Sequence, residues 1–136
     1  MANEFWDILV TDEPLTPPHP VFSAEAGAVV EFWGVVRGLE NGEEIAGLDY
    51  EAHVEMATHQ LEKLVAEARE QFGFQWLVLH HRIGFVAAAE PSLFVRVVSE
   101  RRGPALKACE WVIERMKEVV PIWKKPMPAE WRVSGP

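Results

Sequence analysis

The sequence predicts an α+β fold, with two helices packed on one face of a largely antiparallel sheet. Three observations predict it. Apolar residues recur at helical spacing over residues 54–72 and again over 104–120. Short runs rich in β-branched and aromatic residues lie before and between these stretches. Read in order the chain is β-ββ-α-ββ-α, so strands follow strands, which favours helices on an antiparallel sheet over the alternating units of a parallel one.

Each element has its own local reason. Residues 1–26 combine the apolar stretch FWDILV with a segment in which Pro14, Pro17, Pro18 and Pro20 impose extended or turn geometry, which reads as an N-terminal edge strand and a Pro-rich loop. GAVVEFWGVVR (27–37) and IAGLDYEA (45–52) read as strands, and Asn41-Gly42 between them suits a tight hairpin turn, so the two are expected to pair antiparallel. In the first helix Val54, Ala57, Leu61, Leu64, Val65, Ala68 and Phe72 share a face, and Gly73 ends it. WLVLHHRIG (76–84) and LFVRVVS (93–99) read as strands around a turn containing Pro91.

The second helix is expected from Pro104 through Ala105, Cys109, Val112, Ile113, Met116 and Val120. Pro121 stops it, because the residue before a proline avoids the helical region. Beyond lies VVPIWKKPMP (119–128), where Pro121, Pro126 and Pro128 restrict an extended segment bearing Lys124 and Lys125.

A chain of 136 residues, 49% hydrophobic and 25% charged, is sized for a single domain over 1–136. No apolar run approaches the roughly 18 residues of a membrane span, and Met-Ala-Asn-Glu-Phe-Trp has neither a basic n-region nor an apolar h-region. A soluble, cytoplasmic protein without membrane contact is expected. Cys109 is the only cysteine, which rules out an internal disulfide and a Cys-rich zinc site. It falls on the apolar stripe of the second helix and reads as core. His80 and His81 face opposite sides of a strand and His19, His53 and His59 show no ligand spacing, so no metal is expected. The sequence contains no G-x-G-x-x-G, no P-loop lysine and no G-x-S-x-G, which removes support for dinucleotide, P-loop and α/β-hydrolase functions.

Charge narrows the ligand class. The net charge is −8, but residues 1–95 hold 4 basic and 16 acidic side chains whereas residues 96–136 hold 9 basic and 5 acidic. A local basic cluster in an acidic chain suits a small anion and not nucleic acid, which asks for a broad basic face. Within the cluster, Arg101 and Arg102 sit where a strand end meets a helix start. Free backbone N–H groups, the helix dipole and two guanidinium forks together make a plausible phosphate seat there. Arg37, ending the strand that carries Trp33, is a weaker candidate on the same grounds. Lys117 lies about one turn before Pro121, so a chain folding back beyond the proline can bring Lys117 and Lys124 to one pocket, while alternation turns Lys125 away from Lys124. Solvated surface charges are the alternative for each of these residues. A lysine of ordinary pKa is cationic at pH 7, and presenting a neutral amine costs roughly 4.6 kcal/mol.

Five segments carry a resemblance: GAVVEFWGVVR, LDYEAHVEMA, HRIG, RRGPALKACEWVIERMK and PIWKK occur in the order and approximate spacing of the large, catalytic subunit of molybdopterin synthase. The resemblance covers roughly residues 5–132 and implies an α/β hammerhead-type fold and a homodimer at the centre of a heterotetramer. It implies a small ubiquitin-like sulfur-carrier partner whose C-terminal Gly-Gly thiocarboxylate donates sulfur. The implied reaction converts a cyclic pyranopterin monophosphate to the dithiolene of molybdopterin in two sulfur transfers, with the pterin as substrate and no cofactor. Lys117 then resembles the central catalytic lysine beside the carrier tail and Lys124 the second active-site lysine. Arg37 and Arg102 resemble the anion-binding arginines, with Arg101 beside them, and part of each pocket is expected from the neighbouring subunit. Trp123 and the prolines would hold Lys124 in place.

The chain departs from the family pattern at Arg101, where histidine is common, at Pro126, where an acidic residue commonly follows the lysines, and at His53, where tyrosine is common. It ends Ser134-Gly135-Pro136 and so does not read as the carrier. A non-catalytic module holding a phosphorylated metabolite, and a transferase using Lys117 as a covalent nucleophile, are the rival readings.

Overall fold

The computed structural model describes residues 5–131; residues 1–4 and 132–136, including the terminal Ser134-Gly135-Pro136, lie outside them. Strands β1 (Trp6–Thr11), β2 (Ala28–Val35), β5 (Trp76–Arg82) and β7 (Pro91–Ser99) form one sheet in the order β1-β5-β7-β2. Among the described residues, only the β1–β5 pair is parallel. Helices α1 (Val54–Phe72) and α2 (Arg102–Val119) cover one face of it.

Strand alternation decides which residues meet the helices. Leu77 and Leu79 of β5 and Leu93, Val95 and Val97 of β7 point to the helical side, where they pack with Ala57, Leu61, Leu64, Val65 and Ala68 of α1 and with Ala105, Ala108, Cys109, Val112 and Met116 of α2. Each fully buried Leu or Val there contributes about 1.5–3 kcal/mol of transfer free energy. On the opposite face Arg96 is buried; its Nε donates to Glu31 Oε2 at 2.8 Å and its Nη1 to the Pro18 carbonyl at 2.8 Å. That second bond ties the Pro-rich loop after β1 across the sheet.

A second sheet is built around β4 (Glu43–Ala52). It pairs with β3 (Leu39–Glu40) at its start, and with β6 (Gly84–Ala87) and β8 (Ile122–Pro128) along its length. Val36, Leu48 and Val86 make a small core beside it. Among the described residues β8 pairs with β4 alone, so Pro126 and Pro128 sit on an edge strand, where a missing N–H is tolerated.

The helices and the edge strand β1 lie where the sequence predicts them, and α1 begins and ends at the expected residues. At its start the Met56 N–H donates to His53 Nδ1 at 3.3 Å, so the histidine in the tyrosine position acts as a helix cap. Several local expectations need correction. The Asn41-Gly42 turn forms, with φ of 53° and 81°, but it joins β4 to the short β3. β2 pairs instead with β7, a long-range contact that local turn signals do not encode. The run 76–84 is two strands, because Gly84 at φ 83° turns the chain out of the first sheet and into the second. Pro91 opens β7, and the turn before it is made by residues 88–90. α2 starts at Arg102, which places Pro104 within its first turn. The extended segment after Pro121 is a paired strand.

Candidate active site

The two sheets and the C-terminal end of α2 enclose an open cleft of about 500 Å³. Among the described residues three cations line it, each brought by a different element: Arg37 from the chain just after β2, Lys117 from the last turn of α2 and Lys124 from β8. All three are solvent-exposed. Arg37 is placed by the residue before it, since Val36 is buried and anchored by two backbone bonds: its N–H donates to the Glu90 carbonyl at 2.9 Å and its carbonyl accepts from the Ala89 N–H at 2.7 Å. Lys117 occupies a position where the helix dipole favours a cation. Beyond Pro121 the chain doubles back as β8, and pairing with β4 sets Lys124 opposite Tyr50. This pairing, and not Trp123, holds Lys124, for Trp123 is 64% exposed.

Lys125 is absent from the cleft lining, as alternation along β8 requires. Lys124→Ala is therefore expected to lower turnover severely and Lys125→Ala only mildly. Steady-state rates of the two variants check this, and equal losses would show that strand alternation does not govern the pair.

Arg101 and Arg102 lie at the other end of α2. Fifteen residues of helix separate Arg102 from Lys117, which is about 22 Å along the axis. Arg101 is the N-cap residue and makes no side-chain cap bond, and the first turn holds no acidic residue. The helix start is thus a free cluster of N–H groups with two exposed guanidinium groups, as the phosphate-seat reading asks, but one chain does not bring it to its own cleft.

The cleft also contains residues that the sequence reading did not assign to it. Tyr50, Ser92 and His81 form a polar wall, Glu40 adds a carboxylate, and Phe32, Ile113 and Met116 are among the apolar residues. The Tyr50 and Ser92 hydroxyls share a hydrogen bond of 3.0 Å, and the Tyr50 and His81 rings meet edge to face with centroids 5.2 Å apart. Alternation contained a signal for His81: it falls on the same side of β5 as Leu77 and Leu79, at the strand's end.

His81 is buried, and its Nδ1 lies 2.8 Å from the Arg82 carbonyl. A carbonyl only accepts, so Nδ1 carries the proton. Burial pushes the pKa down to about 4, against a smaller upward pull from that hydrogen bond. No carboxylate among the described residues pairs with this imidazole. The folded value lies below the ordinary 6.5, so as pH falls the unfolded chain binds the proton first. The contribution of a neutral His81 is complete above about pH 6.5 and is lost down to about pH 4, on the order of 3 kcal/mol in all. Denaturant unfolding at pH 7 and pH 4.5 is expected to show a loss that His81→Gln reduces.

A family model described as MoaE protein matches residues 10–119. The chain belongs to the MoaE family. It is 38% identical over 126 residues to the molybdopterin synthase catalytic subunit of Thermoplasma volcanium, covering 92% of each chain. It superposes on the structure of molybdopterin synthase from Staphylococcus aureus with a TM-score of 0.82 at 32% identity, covering 96% of this chain and 95% of that one. It also superposes on a chain from a complex of subunits 1 and 2 of molybdopterin-converting factor from Helicobacter pylori, with a TM-score of 0.63 at 29% identity over 79% of this chain and 75% of that one. Other curated relatives are longer, and the chain spans 64% and 52% of two of them. The residues matched to the family model include Arg37, Arg101, Arg102 and Lys117 and end before Lys124.

Proposed function

We propose that this chain is the catalytic subunit of molybdopterin synthase, a sulfurtransferase of molybdenum cofactor biosynthesis. It moves two sulfur atoms onto a cyclic pyranopterin monophosphate, one from the C-terminal thiocarboxylate of each of two molecules of a small carrier subunit, which leave as carboxylates, and so forms the dithiolene. The observation that carries this reading is the convergence of Arg37, Lys117 and Lys124 on one cleft in a protein of net charge −8. Both reactants are anionic. Each exposed cation is worth about 1 kcal/mol or less against such an anion until the bound reactants exclude water, and the three together offset the repulsion of bringing phosphate and thiocarboxylate together. Lys117 receives the carrier's terminal group and Lys124 faces the pterin. Arg37 holds phosphate with Arg102, and Arg101 beside it, supplied by a second copy of the chain. The pterin is substrate and product, and the chain's own cations supply the charge stabilisation with no resident cofactor assigned a role.

The sulfur comes from outside the chain. Cys109, its only thiol, is buried in the core, and burial raises its pKa to about 11, so little thiolate exists at pH 7. The test is a single-turnover assay with thiocarboxylated carrier bearing labelled sulfur and the pterin monophosphate. Label is expected in the dithiolene, and Cys109→Ala is expected to keep most activity while losing about 1 kcal/mol of stability, a small core truncation. No dithiolene, or product without label, would overturn the proposal.

A further inference from the structure

The acceptors and donors of the cleft are unequally supplied. Arg37, Lys117 and Lys124 are donors only. The Tyr50 and Ser92 hydroxyls share one hydrogen bond and keep further acceptor lone pairs, and the Glu40 carboxylate is an acceptor that repels the anionic groups of the reactants. A reduced pterin ring presents several N–H groups along its edge, and these need acceptors. His81 offers one that is uncharged and fixed in place. Its Nδ1–H is committed to the Arg82 carbonyl at 2.8 Å, so the second ring nitrogen bears a lone pair, and no described residue bonds it.

We infer that His81 is a specificity-determining residue of this cleft, offering its Nε2 lone pair to an N–H of the pterin ring. The inference rests on the reading of the cleft as the pterin site. The imidazole is fixed in position, for it is 5% exposed, its Nδ1 is anchored to the backbone and its ring stands edge to face against Tyr50. Orientation is therefore settled before the ligand arrives, and little rotamer freedom remains to be lost on binding. The depressed pKa keeps the lone pair available at pH 7. Nε2 faces the open cleft, and a ligand that covers it without donating to it strips its water at a cost, so a phosphorylated compound without a donor at that point is disfavoured even though the cations attract its phosphate. Charge selects anions in general, while His81 selects a heterocycle with an N–H.

Two substitutions separate this role from a structural one. In His81→Asn the side-chain amide can still donate to the Arg82 carbonyl but no longer reaches into the cleft. In His81→Gln the longer side chain restores an acceptor near the Nε2 position. Calorimetric titration of the pterin monophosphate into the chain without carrier is expected to show about tenfold weaker binding for His81→Asn and near-wild-type binding for His81→Gln. Binding unchanged in His81→Asn, or lost equally in both variants, overturns the inference. A measurement on the unaltered chain stands independently of whether the variants fold: with 15N-labelled histidine, the His81 Nε2 resonance is expected to shift on adding the pterin. A wild-type chain that binds no pterin removes the proposed function along with this inference. One that binds pterin with the Nε2 signal unmoved removes this inference alone.

Discussion

Lys117→Ala is expected to lower turnover by about 10²–10³-fold or more, the scale seen when a group stabilising charge in a reacting complex is removed. Binding of the carrier and thermal unfolding should change little. The side chain is exposed at the end of α2, it takes part in none of the ion pairs found among the described residues, and alanine is the best helix former. The core residues next to it, Met116 and Val120, are untouched and keep the helix docked. Stopped-flow formation of the dithiolene, set beside a melting curve and a carrier-binding titration, separates the chemical loss from a structural one. Near-wild-type turnover in a folded variant would remove Lys117 from the chemistry.

Mixing two inactive variants is expected to restore activity. The straight run of α2 puts Arg102 about 22 Å from Lys117, too far for a side chain to close, so an Arg102 that serves a cleft must serve that of another copy. In the proposed homodimer, Lys117→Ala and Arg102→Ala should each be severely impaired. Co-refolding them at equal concentration gives half heterodimers, and each heterodimer has one cleft with both defects and one with none. Symmetric assembly therefore predicts recovery of about a quarter of wild-type turnover. Activity that stays at the level of the separate variants would show that Arg102 and Lys117 do not act across a subunit boundary, and would withdraw Arg102 from the site.

Much of the cationic site was legible because its signals are local. A proline beyond the first turn breaks or kinks a helix, so Pro121 puts Lys117 in a last turn, and the prolines after it leave Lys124 and Lys125 extended and facing apart. The place of Cys109 on an apolar stripe was read in the same way. Tyr50, Ser92 and His81 were not found as a group, since they come from β4, β7 and β5 and share no spacing. Nor did any local rule separate Arg37, which joins the cleft, from Arg102, which one chain holds at the far end of α2.

Period and punctuation in the sequence determined where the two helices run, which faces they bury, where most strands lie and that basic residues gather toward the C-terminal part of an otherwise acidic chain. These are short-range properties: helical and strand spacing repeat within a few residues, and proline and glycine act on their own dihedral angles. Strand pairing is different, because a strand exposes the same N–H and C=O groups whatever its partner. Only the tertiary structure decided that β2 leaves its neighbour in sequence for β7, that Gly84 moves the chain from one sheet to the other, and that β8 returns to pair with β4. Those long-range pairings leave an open space between two sheets at the end of a helix, and that space brings Arg37, Lys117, Lys124 and His81 together.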